Sequence, residues 1–356
     1  MNFFFTKDKS WLAKWDEFLQ HENRSSHLLY SDWLASYKAY GFDYEVFIVE
    51  KNQKIIGGFG AVIAKSFLFK FYTIPHGPIL EKEFEIELDT ILNAIKQRAK
   101  ELKCCYVQYS LPVSDVFEIQ KQTYTSESST ALKNLGKKGN LFKYVYSSYG
   151  INWIDFNTTN LPDELLLQFS VQVRRNINLA YKNNAVIEYA TTESDCRTAY
   201  FLIEENARVA GYAVRSFDDF KDTILNLISK EMAFLITASV DGEIKGSAFF
   251  VRCGNNLTYI SGGTKKEKPD LKIGYLLHWE IIKKAYQLGY RGYNISMGGS
   301  KGVVEFKSKF NTKSILFDSP HYHIVLRPIL FKVYLILNSI FVKNKKTVSI
   351  LLKRFK

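Results

Sequence analysis

Glu231-Met-Ala-Phe-Leu-Ile-Thr-Ala-Ser-Val240, then Asp241-Gly242, then Glu243-Ile-Lys-Gly-Ser-Ala-Phe-Phe-Val-Arg252, reads as a strand, a tight turn and a return strand. β-Branched and aromatic residues fill both arms, and Asp-Gly is a strong hairpin signal. Asn255-Asn256 turns the chain again into a third strand over 257–261. Gly262-Gly263 and a lysine-rich loop follow. Pro269-Asp270 is expected to open a helix with Asp270 as its N-cap, Gly289 to stop it, and a strand over 291–297 to close the unit.

The first half of the chain has the same order. Residues 44–50 alternate and are rich in β-formers, Lys51-Asn-Gln turns, and 54–64 and 67–74 read as two further strands. Pro75-His-Gly-Pro78 leads to a helical stretch over 83–102 and a strand over 105–111. Ile55-x-Gly57 aligns with Ile244-x-Gly246, an offset of 189 residues. The chain thus reads as one β-β-β-α-β unit written twice. Helices are expected before each copy, over 11–20 and 32–40 in the first, and over 163–183 and 194–208 in the second. The expected linker, 121–150, is Ser/Thr-rich and then Lys/Gly-rich, without apolar periodicity. The expected domains are 1–150 and 151–320, followed by a basic apolar tail over 321–356 that packs back on the first domain or on a membrane surface.

Composition bounds the class. With 356 residues, 46% hydrophobic and 15% aromatic, the chain can bury about two cores and is not disordered. Twenty Gly and seven Pro exclude a fibrous or low-complexity chain. Cys104, Cys105, Cys196 and Cys253 contain no CxxC pair, so neither a disulfide framework nor a zinc knuckle is expected, and a reducing, cytoplasmic setting fits. The apolar run at residues 3–5 is too short for a signal peptide, whose core needs about 7–15 residues.

The net charge of +12 is uneven: residues 327–356 carry eight basic side chains and no acidic one. The longest uncharged run there, 333–342, is ten residues, where a spanning helix needs about 20. Apolar residues interleaved with Lys and Arg suit a basic amphipathic helix lying on an anionic membrane surface. The alternative is a helix docked on the body with a solvated basic end.

Several signatures fail. Asn294-Ile-Ser296-Met-Gly298 has Asn where a nucleophile elbow begins with Gly. Gly298-Gly-Ser-Lys-Gly302 lacks P-loop spacing. His321-x-His323 has no third ligand in sight, so no metal is expected. The β-β-β-α-β unit is the core of acetyl-CoA-dependent N-acetyltransferases, which seat a pyrophosphate on a glycine-rich turn at a helix start. Here that turn is Pro269-Asp-Leu-Lys-Ile-Gly274 in one copy and the acidic Leu80-Glu-Lys-Glu83 in the other. Neither looks competent for CoA, and no cofactor is expected.

The chain resembles the FemABX peptidyltransferases, the lipid II amino-acid ligases. The resemblance rests on Ser31-Asp-Trp33 with Tyr37-Lys38, on Tyr72-x-x-Pro75-x-Gly77-Pro78, on Arg174 with Ile177 and Ala180-Tyr-Lys182, and on Arg208-x-x-Gly-Tyr-x-x-Arg215. Most specific is Gly302-Val-Val-Glu-Phe306-Lys307-x-x-Phe310. The chain departs from the family pattern at Ser110-Leu111-Pro112, where an acidic-Pro pair is common, and at Asn311-Thr312, where Gly is preferred. It also lacks the long helical arm of some members.

The resemblance implies a mixed α+β fold of two tandem GNAT-like domains with mixed, largely antiparallel sheets. It implies an aminoacyltransferase that moves an amino acid from aminoacyl-tRNA to an amine on the stem peptide of a lipid-linked or nucleotide-linked peptidoglycan precursor. Such a cell-wall enzyme would work in the cytoplasm, peripheral on the inner face of the membrane. Lys38 and Arg215, with Arg208 as alternate, would hold the precursor diphosphate. Lys307 would offset charge on the ester oxygen, Phe306 would meet the acceptor end of the tRNA, and Tyr259 would face the cleft. The basic loop at Lys133, Lys137, Lys138 and Lys143 could touch the tRNA backbone, although a solvated linker is the simpler reading. The chemistry agrees: an activated ester needs positioning and oxyanion stabilisation, and no triad or metal. The competing expectations are a CoA-dependent N-acyltransferase acting on a surface polysaccharide or lipid precursor, and a non-catalytic membrane-peripheral relative.

Overall fold

The computed structural model describes residues 1–66, 68–127, 136–159, 161–212 and 214–343. β1 (Asn2–Thr6) leads into α1 (Lys9–His21), whose first turn is capped by the Asp8 carboxylate. α2 (Ser31–Ala35) passes into a 3₁₀ stretch, Ser36–Tyr40, so the helix expected over 32–40 forms as two short pieces. β2 (Asp43–Lys51), β3 (Lys54–Ser66) and β4 (Phe69–Ile74) make an antiparallel meander, with β5 (Ile79–Leu80) beside β3. α3 (Leu88–Glu101) then crosses to β6 (Tyr106–Ser110), which pairs in parallel with β4. β7 (Lys137–Lys138) is the edge strand. Residues 128–135 of the expected linker, Lys133 included, lie outside the described residues.

The second half repeats the plan. β8 (Gly150–Asp155) precedes α4 (Pro162–Gln168) and α5 (Val171–Lys182). These replace the single helix expected over 163–183, because the chain breaks at Phe169 and Ser170 then caps α5. β9 (Val186–Tyr189), α6 (Glu193–Ala210) and α7 (Phe217–Ser229) follow. β10 (Ala233–Val240), β11 (Glu243–Cys253) and β12 (Asn256–Thr264) form the second meander. The hairpin turn has φ 50° at Asp241 and 75° at Gly242, as Asp-Gly demands. α8 (Ile273–Gln287) crosses to β13 (Gly292–Asn294), again parallel to its meander strand. Asp270 does not cap α8: Lys272 takes the cap position with φ 63°, and the Asp270 carboxylate accepts the Lys272 N–H instead. α9 (Lys301–Ser308) and β14 (Lys313–Leu316) complete this half.

β15 (His321–Val325) returns to the first sheet, pairing with β6 and β7, and α10 (Pro328–Lys343) packs beside it. Phe331 stacks on Tyr106 at 4.7 Å, and Tyr334 meets Phe71 at 4.7 Å. The strand orders are β1-β2-β3-β4-β6-β15-β7 and β14-β8-β13-β12-β11-β10-β9. The molecule is therefore mixed α+β, two tandem GNAT-like units with largely antiparallel sheets. The repeated glycine has a packing role in both copies. A Cβ at Gly57 would come 2.5 Å from the Ile79 carbonyl oxygen, and one at Gly246 would come 2.5 Å from Ile273 Cγ2.

One hydrophobic cluster runs through both halves. It joins Trp15, Leu29, Trp33 and Tyr37 to Phe220, Ile224, Phe249 and Val251. Polar contacts seal the same seam. Asp32 accepts from Lys230 Nζ at 2.6 Å and Asn226 Nδ2 at 2.9 Å, and the Tyr30 hydroxyl donates to the Arg252 carbonyl at 2.9 Å. Among the described residues, no helix is long and apolar enough to cross a membrane.

Candidate functional site

Beside this seam lies a cleft of about 330 Å³. The first half contributes Ser25, His27, Trp33, Tyr37 and Gln122; the second contributes Trp153, Arg215, Thr258, Tyr259 and Ser296. The β12–β13 pairing explains the opening. The two strands are paired only from Asn256 to Thr258, so Tyr259 and Ile260 lose their neighbour and face the cavity.

The cleft wall is rich in hydrogen-bond donors without acceptors. Ser25 Oγ, Trp33 Nε1, Gln122 Nε2, Trp153 Nε1 and Arg215 Nε are all buried and none has a partner among the described residues. Leaving a buried donor unpaired costs about 1–3 kcal/mol each, so a fold keeps several around one cavity only when something else satisfies them. A ligand dense in carbonyl, carboxylate or phosphate oxygens has the matching chemistry.

Arg215 is held by aromatic faces. Its guanidinium lies 4.8 Å from the ring centre of Tyr37, 5.0 Å from Phe220, 5.4 Å from Tyr40 and 5.6 Å from Trp33. Such contacts fix a cation without neutralising it. Burial pushes the Tyr37 phenol up, and the adjacent Arg215 pulls it back in part. His27 is lowered to about 3, by burial first and then by the fields of His76 and Arg215, and His76 is lowered to about 4 by burial. Both imidazoles are neutral near pH 7, so Arg215 is the charge that dominates this wall.

Lys307 is buried behind the opposite wall, with 4% of its surface exposed. Its ammonium donates to Ser296 Oγ at 3.0 Å and to the carbonyls of Ser296 and Gly298, both at 3.2 Å. It also lies 5.5 Å from the Tyr259 ring centre. No carboxylate among the described residues compensates it, and burial lowers it to about 8. The loop that cups it is Asn294-Ile-Ser296-Met-Gly298, in which Ser296 adopts φ 63° and Asn294 Oδ1 accepts the Ser296 N–H at 3.0 Å. The motif that fails as a nucleophile elbow is thus a lysine-binding loop.

The other expected residues are placed variously. Tyr259 lines the cleft. Phe306 is half-buried beside it, in a cluster with Tyr275 at 4.7 Å, Phe310 at 5.3 Å and His278 at 5.5 Å. Lys38 and Arg208 are exposed and are not part of the cleft wall. The Lys38 amine sits 5.6 Å from the Tyr44 ring centre. The histidines of His321-x-His323 are taken by Ser110 Oγ and the Gly139 carbonyl, and no group of three metal-binding side chains occurs among the described residues. The motif reading missed Ser25, His27, Gln122, Trp153 and Ser296 as site residues. Ser25 and His27 belong to a lining run over 25–28 that matches no motif, Gln122 and Trp153 likewise belong to none, and Ser296 sits only in the failed elbow.

A family model described as an acetyltransferase (GNAT) domain matches residues 169–308, the second of the two units. Among solved structures, the crystal structure of FemX superposes with a TM-score of 0.77, covering 94% of this chain and all of that one at 16% identity. The chain has the FemX fold. Two others share its tandem architecture more distantly. The C-terminal domain of a putative lysylphosphatidylglycerol synthetase from Agrobacterium fabrum matches with a TM-score of 0.54 at 10% identity, covering 88% of this chain and 90% of that one. L-PGS from Bacillus licheniformis matches with 0.53 at 11% identity, covering 94% and 97%. At these identities the likeness to FemX and its neighbours is one of fold. No curated protein matches the sequence.

Proposed function

We propose that this protein is an aminoacyltransferase that moves an amino acid from aminoacyl-tRNA to an amine on the stem peptide of a peptidoglycan precursor, lipid-linked or nucleotide-linked. The observation that carries the reading is the interdomain cleft, with five partnerless donors on its walls and a buried lysine behind Ser296. A precursor with a diphosphate, sugars and peptide carbonyls supplies the acceptors those donors lack.

The reaction itself asks little of the protein. The acceptor amine attacks the ester carbonyl, a C–N bond forms, and the ester C–O bond breaks. The amine proton leaves with the ribose oxygen of the tRNA. In this reading Arg215 holds the diphosphate, with Lys38 or Arg208 adding charge at the rim. The Lys307 ammonium stabilises the oxyanion through the Ser296 loop. Phe306, in its aromatic cluster beside Tyr259, meets the acceptor end of the tRNA.

Transfer without CoA is supported by the helix starts. The N-terminus of α8 has Phe306 against Gly274 and an acidic Asp270 nearby. The approach to α3 carries Glu81, Glu83, Glu85 and Glu87. Negative side chains there disfavour a pyrophosphate.

The test is transfer in vitro, with a charged tRNA pool and a nucleotide-linked precursor, read by product mass. An added aminoacyl mass on the precursor is expected. Thermal stabilisation by CoA, with none by precursor or aminoacyl-tRNA, would overturn the proposal.

A further inference from the structure

The loop between β13 and α9 carries two hydrogen-bond donors that no oxygen among the described residues accepts. β13 ends at Asn294, and the chain turns through Ser296 at φ 63° and Gly298 at φ 82° before α9 begins at Lys301. A serine in the left-handed region is uncommon and persists only where its surroundings hold it there. Asn294 Oδ1 takes the Ser296 N–H, and the Lys307 ammonium takes both the carbonyl and the hydroxyl oxygen of Ser296. Asn294 and Ser296 line the cleft, whereas Lys307, 4% exposed, does not.

A hydroxyl has one hydrogen and two lone pairs. The Lys307 ammonium donates to Ser296 Oγ at 3.0 Å and spends its other two protons on the Ser296 and Gly298 carbonyls. With a lone pair taken by the cation, the hydroxyl hydrogen turns away from it, and that hydrogen meets no acceptor among the described residues. Accepting from an ammonium also polarises the O–H and strengthens it as a donor. The Asn294 amide is fixed just as firmly. Its Oδ1 accepts the N–H groups of Asn152 and Ser296, both at 3.0 Å, which only the oxygen end of an amide can do. Its Nδ2 donates to nothing among the described residues.

We infer, resting on the transferase reading, that the Ser296 hydroxyl and the Asn294 amide are the catalytic oxyanion donors of this cleft, and that Lys307 is a positioning residue that orients and polarises Ser296. As the acceptor amine attacks, the C–N bond forms and the carbonyl π pair moves onto the ester oxygen. Ser296 Oγ–H and Asn294 Nδ2–H bond to that oxygen and keep their protons. When the carbonyl re-forms, the C–O bond to the ribose breaks and the amine proton leaves with the ribose oxygen. No acyl-serine arises on this route, because the group bonded to Ser296 Oγ is a cation and cannot take the hydroxyl proton.

The experiment is the transfer assay above, run with Ser296→Ala, Ser296→Gly, Asn294→Asp and the double variant Ser296→Ala/Lys307→Ala, each checked for an unchanged melting curve. Ser296→Ala is expected to lower kcat roughly 10²–10³-fold, with the KM for precursor and for aminoacyl-tRNA within about twofold of wild type. Ser296→Gly suits φ 63° and lacks the hydroxyl, so an equal loss in it separates the donor from the strained backbone. Asn294→Asp keeps an oxygen for both N–H groups and loses the amide donor, and kcat should fall at least roughly tenfold. Because Lys307 works through Ser296, adding Lys307→Ala to Ser296→Ala should cost no more than about tenfold further. Near-wild-type kcat in either Ser296 variant or in Asn294→Asp overturns the proposal. A double variant slowed by the product of the two single effects would give Lys307 its own contact with the ester and also overturn it, as would an aminoacyl mass held covalently on Ser296. Wild-type protein that transfers nothing overturns the transferase reading and this proposal with it, whereas active wild type with unaffected variants overturns this proposal alone.

Discussion

The Lys307 ammonium lies 3.0 Å from the Ser296 hydroxyl, and that serine forms part of the cleft wall. The cation borders the cavity through Ser296, which binds it, and through Tyr259, whose ring centre is 5.5 Å away. All three ammonium protons are engaged by oxygens of Ser296 and Gly298. Lys307 thus acts through its field and through the shape of this loop. Lys307→Ala is expected to lower turnover ~10²–10³-fold, the usual scale for one oxyanion-stabilising group. Steady-state kinetics with unchanged precursor binding would separate this from a general loss of structure, and near-normal turnover would remove Lys307 from the chemistry.

The same burial sets a pH limit. Lys307 is lowered to about 8, so its charge is present below that pH and lost above it. If the ammonium is the active form, kcat should fall as pH rises through about 8. A Lys307→Arg variant, charged throughout this range, should show no such alkaline limb. A wild-type profile that keeps rising past that pH would contradict the assignment.

Arg215 depends on its aromatic surround. Arg215→Lys keeps the charge and loses the planar face that stacks between Tyr37 and Phe220. The expected result is a precursor KM raised roughly tenfold or more, with kcat little changed, because the group binds ground state and transition state alike. Trp33→Ala removes one ring of the cage and a member of the shared core, at a cost of about 3–5 kcal/mol in stability. Calorimetry would measure that loss.

Much of the fold was legible and little of the cleft. The meanders rest on local signals, namely alternation, Asp241-Gly242 and Lys51-Asn-Gln, so their order could be read without any long-range contact. α7 was not anticipated, although Ser216 caps it and Phe217, Phe220, Ile224 and Leu227 recur at helical spacing. The cleft donors come from segments as far apart as Ser25 and Arg215, and each is an isolated polar residue until the sheets bring them together. Lys307 and Arg215 could be singled out by motif, whereas Trp153 and Gln122 carry no spacing that marks them. The side chain of Lys38 is directed by packing on Tyr44, which no pattern around Ser31-Asp-Trp33 encodes.

Buried histidines set the acid limit of stability. His76 is lowered to about 4 and His278 to about 3, in both cases by burial first, from an ordinary value of 6.5. Below pH 6.5 the unfolded chain binds protons that these folded sites refuse. Stability is therefore full above that pH and declines as pH falls toward the folded values, by about 2 kcal/mol per histidine at pH 5. Denaturant titrations at pH 7 and pH 5 should show the fall. His27, lowered to about 3, adds a third such contribution, so His278→Gln, which keeps a polar contact for the Tyr293 hydroxyl now 2.6 Å from His278 Nδ1, should reduce the fall by about a third. Equal stability at the two pH values would refute the account.

The hydrophobic cluster that runs from Trp15 and Trp33 into Phe220 and Phe249 leaves no slack for one half to swing against the other. A clamshell closure would have to tear Asp32 from Lys230 and pull Trp33 off Phe220. A substrate of the proposed transferase would therefore enter a gap already set to width, and its turnover should not wait on a closing motion of the two halves.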